Sequence, residues 1–253
     1  MMNDTRFIEL LNEVKQEFSG WDFSFVTETG RIQNELLSWS YGSITMPVVR
    51  KATSLLDMGT GGGEFFSLLR PFPDNVFATE GFKPNIPIAK KKLEPLGVTV
   101  LPFEKDNELP FTSNQFGLII NKHESYCPAE VRRISKKNGI FLTQQVGGLD
   151  CKEINDALGM PINQEYLNWN LDRALKELEE HHFNVLVKKE EFPTQRFYDI
   201  GALVYYLKAI PWQIPNFNLE DLKEQLFSLH KKIEKDGYFD AKQHRFLIKA
   251  KAI

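Results

Sequence analysis

The residues best suited to chemistry begin at Asp57. Directly after the apolar run Ser54-Leu55-Leu56, the chain reads Asp57-Met58-Gly59-Thr60-Gly61-Gly62-Gly63. A carboxylate followed by four glycines suits a strand that turns sharply into a helix. Glycine enters positive φ without a steric penalty and lets a ligand approach the backbone. A helix starting near Gly63 would aim its free N–H groups at that ligand. The dinucleotide fingerprint G-x-G-x-x-G does not fit, because counting from Gly59 puts Glu64 at its last glycine. A glycine-rich turn with no ligand stays open at this point. Glu80 is the second candidate, at the end of the run Asn75-Val76-Phe77-Ala78-Thr79-Glu80. A carboxylate at a strand end can accept hydrogen bonds from a pair of ribose hydroxyls. The third is Asn121-Lys122-His123-Glu124-Ser125-Tyr126. His123 has the intrinsic pKa of a general base, and Glu124 could orient or charge-pair it. A local, pocket-shaping histidine is the equal alternative.

The pattern Asp57-x-Gly59-x-Gly61-x-Gly63 resembles the first motif of class I S-adenosylmethionine-dependent methyltransferases. That resemblance implies S-adenosyl-L-methionine as cofactor, held by Asp57, Gly59, Thr60, Gly61 and Gly63. It gives Glu80 the ribose, puts Gly81 and Phe82 beside the adenine, and has Asn121 open onto the sulfur. Leu109-Pro110-Phe111 ahead of a strand looks like the Methyltransf-11-type branch. There an acidic residue upstream contacts the adenine amine, a role open to Glu104 or Asp106. From the residues themselves, His123 and Glu124 are the catalytic candidates and Tyr126, Gln144, Gln145 and Arg196 the substrate candidates: the two amides could bond a substrate or cap loop carbonyls, and Arg196 could bind a carboxylate or phosphate or simply be solvated. Further stretches, among them Gln144-Gln145-Val146-Gly147-Gly148 and Ile210-Pro211-Trp212-Gln213-Ile214-Pro215, are similar to a bacterial group of methyltransferase-like proteins.

These residues need a scaffold, and the hydrophobic pattern supplies one. Strands are expected from 54 over the run Ser54-Leu55-Leu56 and at 75–80, 98–101, 116–121 and 140–146, alternating with helices at 63–70, 84–96 and 128–136. Strand–helix alternation with short links indicates an α/β fold with a doubly wound parallel sheet. Further strands are expected at 183–187 and 245–250, and the resemblance implies that the seven form a Rossmann-like methyltransferase sheet with the last strand reversed beside the sixth. Residues 5–18 read as an amphipathic helix, and a second helix is expected around 30–40. The expected organisation is an N-terminal helical lid segment, 1–45, and a methyltransferase domain, 46–253. A helical insertion at 192–240, with helices near 198–209 and 219–235, precedes the last strand. Tyr205 and Tyr206 lie in an apolar run and read as core.

The 253 residues are 42% hydrophobic and 26% charged, with a formal charge of −3 and a pI near 6.0. That composition is ordinary for a globular domain and gives no global attraction to nucleic acid or anionic membrane. Cys127 and Cys151 form no paired motif, and His181-His182 has no neighbouring ligand set, so no metal is expected. No apolar stretch approaches the length of a membrane span, and a cytoplasmic location is expected. The leading reading is methyl transfer to a small molecule, with the acceptor atom open. The rivals are an RNA methyltransferase, a non-catalytic cofactor-binding module and a nucleotide-dependent oxidoreductase.

Overall fold

The computed structural model describes residues 4–14 and 23–253. Ten strands lie among them: β1 (Ile32–Asn34), β2 (Ser54–Met58), β3 (Asn75–Glu80), β4 (Thr99–Pro102), β5 (Phe116–Lys122), β6 (Ser135–Val146), β7 (Phe183–Glu191), β8 (Thr194–Phe197), β9 (Phe239–Lys242) and β10 (Arg245–Ala252). The chain divides into two compact units. One contains Leu37–Val146, Trp169–Glu190 and Arg245–Ile253; the other contains Met1–Leu36, Gly147–Asn168 and Glu191–His244.

The first of these, the sheet unit, is built on seven strands in the order β4-β3-β2-β5-β6-β10-β7. β2 pairs in parallel with β3 on one side and with β5 on the other. β10 runs antiparallel to β6. Every residue of β2 is buried, which is why its apolar run does not alternate. Successive residues feed opposite faces. Leu55, Leu118 and Ile120 join one hydrophobic cluster, while Leu56, Met58 and Ile119 join the other. The order reverses at β2, so the carboxyl ends of β2, β3 and β5 meet at a topological switch point. Open α/β sheets bind ligands at that place.

The second unit has an antiparallel three-stranded sheet in the order β1-β8-β9. The helices Thr5–Glu13, Lys152–Leu158, Ile200–Ala209 and Lys223–Asp236 share one apolar cluster with it. Ile200–Ala209 runs through its centre, and Tyr205 and Tyr206 are core residues, 4% and 3% exposed. The helix is capped by Asp199, whose side chain accepts the Ala202 N–H at 2.9 Å and a bidentate pair from Arg31 at 2.7 and 2.6 Å.

Several expectations change. No helix forms at 30–40. Ile32–Asn34 is a strand on β8, and the helix begins at Tyr41, capped by the Ser40 hydroxyl. Pairing with a strand over 160 residues away outweighs the local helical pattern. The helix expected over 63–70 is the single turn Glu64–Ser67, where side chains of Ser67 and Arg70 take up the carbonyls of Glu64 and Ser67. Residues 37–45 go with the sheet unit, whereas 147–168 share a unit with 191–244. Of the helix expected at 5–18, residues 15–18 lie outside the described residues. No described helix is long and apolar enough to cross a membrane.

Candidate functional site

The site is built within the sheet unit, starting where β2 runs out. Gly59, Gly61 and Gly63 all have positive φ, at 66°, 62° and 82°. A side chain at any of them would be strained. The loop is tied to β3 by two bonds: Thr60 N–H to the Thr79 carbonyl at 2.9 Å, and Gly59 N–H to the Thr79 hydroxyl at 3.4 Å. A Cβ on Gly63 would stand 2.7 Å from Leu93 Cγ, so this glycine also lets the helix Asn85–Leu93 pack close.

Two buried carboxyls flank the loop. Glu80 is 3% exposed, and its Oε1 accepts the Phe82 N–H at 2.7 Å. Burial raises its pKa, while the amides of Phe82, Gly61 and Gly81 pull it down. Those amides connect the glycine loop to the end of β3. Asp57 is pushed up to about 7, chiefly by burial; the Thr60 hydroxyl and Lys122 oppose the shift and Glu80 adds to it. The Thr60 hydroxyl sits near enough to act on Asp57 yet has no partner at hydrogen-bonding geometry. Lys122 lies over the Phe65 ring at 4.7 Å, and burial lowers its pKa.

The ends of β5 and β6 form an amide network. Asn121 is fully buried, and its Oδ1 accepts from the Thr143 hydroxyl at 2.9 Å and Gln145 Nε2 at 2.7 Å. Its Nδ2 has no partner. Gln145 also donates to the Glu124 carbonyl at 3.0 Å, so it holds the 121–124 segment in place. Gln144 accepts the Trp39 indole N–H at 2.8 Å, and its Nε2 stands 3.0 Å from His123 Nε2. With the Gln144 amide as donor, His123 Nε2 is the acceptor and the ring proton sits on Nδ1. His123 has a φ of 64° and exposed surface. Surrounding protein, then the charges of Arg245 and Lys122, hold its pKa well below the usual range. With its pKa so lowered, the imidazole is neutral.

Glu124 packs against the glycine loop. A Cβ on Gly59 would fall 2.3 Å from Glu124 Cγ and 2.5 Å from its Oε2. The Glu124 carboxyl is pushed up to about 7 by burial, then by Asp106 and Glu80. The Ser125 hydroxyl donates to Asp106 at 2.6 Å and lies 3.5 Å from Glu124 Oε1. Glu124, Asp57, Glu80 and Asp106 are thus electrostatically coupled. The Tyr126 ring packs on Phe141 and Trp169, its pKa is raised by burial, and its buried hydroxyl has no partner.

The structure therefore gathers Asp57, Gly59, Thr60, Gly61, Gly63, Glu80, Gly81, Asn121, His123, Glu124, Gln144 and Gln145 around the ends of four neighbouring strands, β3, β2, β5 and β6. Phe82 follows Glu80 and is 62% exposed. Glu104 stands exposed on its loop, whereas Asp106 is the acid linked to the site through Ser125. The Leu109-Pro110-Phe111 stretch is held from behind. Glu130 accepts the Leu109 N–H at 2.7 Å, and Arg133 donates to the Phe111 carbonyl at 2.8 Å. Arg196 belongs to the other unit, where it pairs with Asp240 through two 2.7 Å bonds and stacks on Tyr238 at 3.6 Å. Trp39 and Tyr41 fall in a segment that reads from sequence either as a lid or as packing against the sheet, and here they support the strand ends. The Tyr41 hydroxyl bonds the Asn121 and Leu142 carbonyls at 3.0 and 3.2 Å, fixing β5 against β6. The aromatic run before β2 was the available signal.

No family model matches the chain, and no curated protein matches it by sequence. Solved structures do match. A methyltransferase candidate from Bacillus halodurans C-125 is 17% identical, with a TM-score of 0.59, covering 83% of this chain and 97% of its own. A sarcosine dimethylglycine methyltransferase candidate from Galdieria sulphuraria is 16% identical, with a TM-score of 0.52, covering 83% and 82%. The cyclase SpnF is 15% identical, with a TM-score of 0.53, covering 97% and 92%. At these identities the likeness is one of fold. The sheet order, the antiparallel β10 beside β6 and these neighbours agree: the chain has the class I methyltransferase fold.

Proposed function

We propose that this protein is an S-adenosylmethionine-dependent methyltransferase whose acceptor is a small molecule. One observation carries the reading. The left-handed glycine loop after β2 is joined, through the Gly61 amide, to a buried carboxyl at the end of β3. The residues present fit the donor. Glu80 offers a carboxylate to hydroxyl groups, and the unpartnered Asn121 Nδ2 and Thr60 hydroxyl are polar atoms that a ligand would satisfy. Asp57 and Glu124, both held near 7, are acids that a cationic ligand would ionise.

When bound, the donor supplies an electrophilic methyl group to a lone pair on the acceptor. The chain's part is to hold acceptor and donor in line and keep water out. His123, neutral with its proton on Nδ1, could take the acceptor's proton only at Nε2, once the Gln144 amide gives up that nitrogen. Gln144 and Trp39 fix its ring, which makes Gln144 and Trp39 positioning residues. The acidic balance of the chain supports a small acceptor over RNA. A second reading, another chemistry on this fold, is favoured by the presence of a cyclase among the structural neighbours. Calorimetry with S-adenosylmethionine and with NAD tests the ligand. Donor labelled in its methyl group, incubated with metabolite and RNA fractions of a cell extract, tests the transfer. Label in a small-molecule fraction supports the proposal; preferential NAD binding overturns it.

A further inference from the structure

A cluster in the second unit lies outside everything the methyl-transfer reading uses. His230 and Glu234 are one turn apart on the helix Lys223–Asp236, and Asp4 caps the helix Thr5–Glu13. His230 is 2% exposed, its ring held against Phe7, yet its Nε2 has no hydrogen-bond partner. That nitrogen faces two carboxylate oxygens, Glu234 Oε1 at 3.4 Å and Asp4 Oδ2 at 3.7 Å. The three ligand atoms lie within 4.8 Å of one another. A buried imidazole nitrogen left without a partner costs free energy, and two carboxylates beside it need a cation.

From this arrangement we propose that Asp4, His230 and Glu234 bind a divalent transition-metal ion of the zinc type. Zinc bonds to nitrogen and oxygen are about 2.0–2.2 Å long, and in a tetrahedron such bonds set ligands about 3.4 Å apart. The separations of 3.4 and 3.7 Å therefore need only a small contraction. The ligand set of one imidazole and two carboxylates suits zinc or manganese. Asp4 is oriented for the role, because its other oxygen accepts the Phe7 N–H at 3.0 Å. Without metal the Lys231 ammonium serves as the cation, bonded to Asp4 Oδ2 and, at 2.7 Å, to Glu234 Oε2. It competes with the ion for one of the three ligand atoms only, Asp4 Oδ2, since its other bond is to Glu234 Oε2 rather than Oε1. Its side chain is 48% exposed and can turn to solvent. Bound metal would tie the N-terminal helix to the Lys223–Asp236 helix and stabilise the unit holding both.

The test uses the full chain, free of any tag and stripped with chelator, titrated with Zn²⁺ and separately with Mn²⁺ by calorimetry. One equivalent of one ion should bind and raise the melting temperature. Glu234→Gln, at a partly exposed position, and Asp4→Asn should each weaken binding at least about tenfold, since even outer-shell partners of a metal cost that much. His230→Gln should abolish binding. Lys231→Met should tighten it, an effect that a purely structural ion-pair cluster does not predict. Absence of uptake of both ions overturns the proposal. So does uptake that survives both Glu234→Gln and Asp4→Asn, because the ion then sits elsewhere, such as on His181 and His182.

Discussion

Replacing Glu124 with glutamine tests whether the acids beside the glycine loop serve a cationic ligand. Glu124 lies flat on Gly59, and its carboxyl is pushed up to about 7 by burial, Asp106 and Glu80. With that pKa it is ionised to about 9% at pH 6 and about 91% at pH 8. If the ionised carboxylate faces positive charge on the donor, its contribution to affinity rises about tenfold over that interval, about 1.4 kcal/mol. Glutamine mimics the protonated carboxyl in shape. The ratio of wild-type to Glu124→Gln affinity should therefore rise from pH 6 to pH 8, by at most about tenfold. Taking the ratio removes the titration of the donor's own amino group, which also falls in this range. The assay is calorimetry with S-adenosylmethionine at half-unit steps, repeated with S-adenosylhomocysteine, which lacks the sulfonium charge. A shallower rise with the uncharged product would assign the effect to the sulfonium. A ratio that stays constant from pH 6 to 8, or falls, would refute the role given to Glu124.

Related effects follow from the same geometry. Asp57 and Glu124 have folded-state pKa values above their unfolded ones, so the stability they contribute is complete below about pH 4 and is lost as pH rises through 7. Thermal melts of the ligand-free protein should fall from pH 5 to pH 8, and the rise produced by donor should grow over the same range. Gly59→Ala should cost about 1–2 kcal/mol from its positive φ alone and displace Glu124, weakening donor binding in calorimetry while circular dichroism keeps the folded spectrum. Gln144→Leu should lower kcat more than KM and move the pH–rate profile, because it frees the His123 ring; an unchanged profile would make His123 a bystander. Tyr126→Phe should leave stability unchanged or slightly higher, since it removes a buried hydroxyl without a partner; a loss of about 1–3 kcal/mol in urea melts would reveal a bond to that hydroxyl.

What the sequence made legible depends on how far each interaction reaches along the chain. The β2 strand, its loop and Glu80 could be read because the relevant signals are local: apolar residues buried on both faces, glycines at three left-handed positions, and a carboxyl at the next strand end. The strand at 32–34 could not be read, because what makes it a strand is β8, far away in sequence. The choice between Glu104 and Asp106 was hidden for a similar reason. Both sit in one polar loop, and only Asp106 receives the Ser125 hydroxyl, from the end of a different strand. Arg196 looked available for an anionic substrate until the strand pairing placed Asp240 opposite it. The pairing of His123 with Glu124 is the most instructive case. Adjacent residues suggested a dyad, yet His123 is at a positive φ and its ring bonds to Gln144, while Glu124 lies on Gly59. A turn between them sends one side chain to the amide network and the other to the glycine loop. Under the proposed function, the sequence neighbours would thus separate into two tasks, an imidazole for the acceptor and a titrating carboxyl for the donor. That separation is why the pH profile of donor binding should respond to Glu124, and the pH profile of turnover to Gln144.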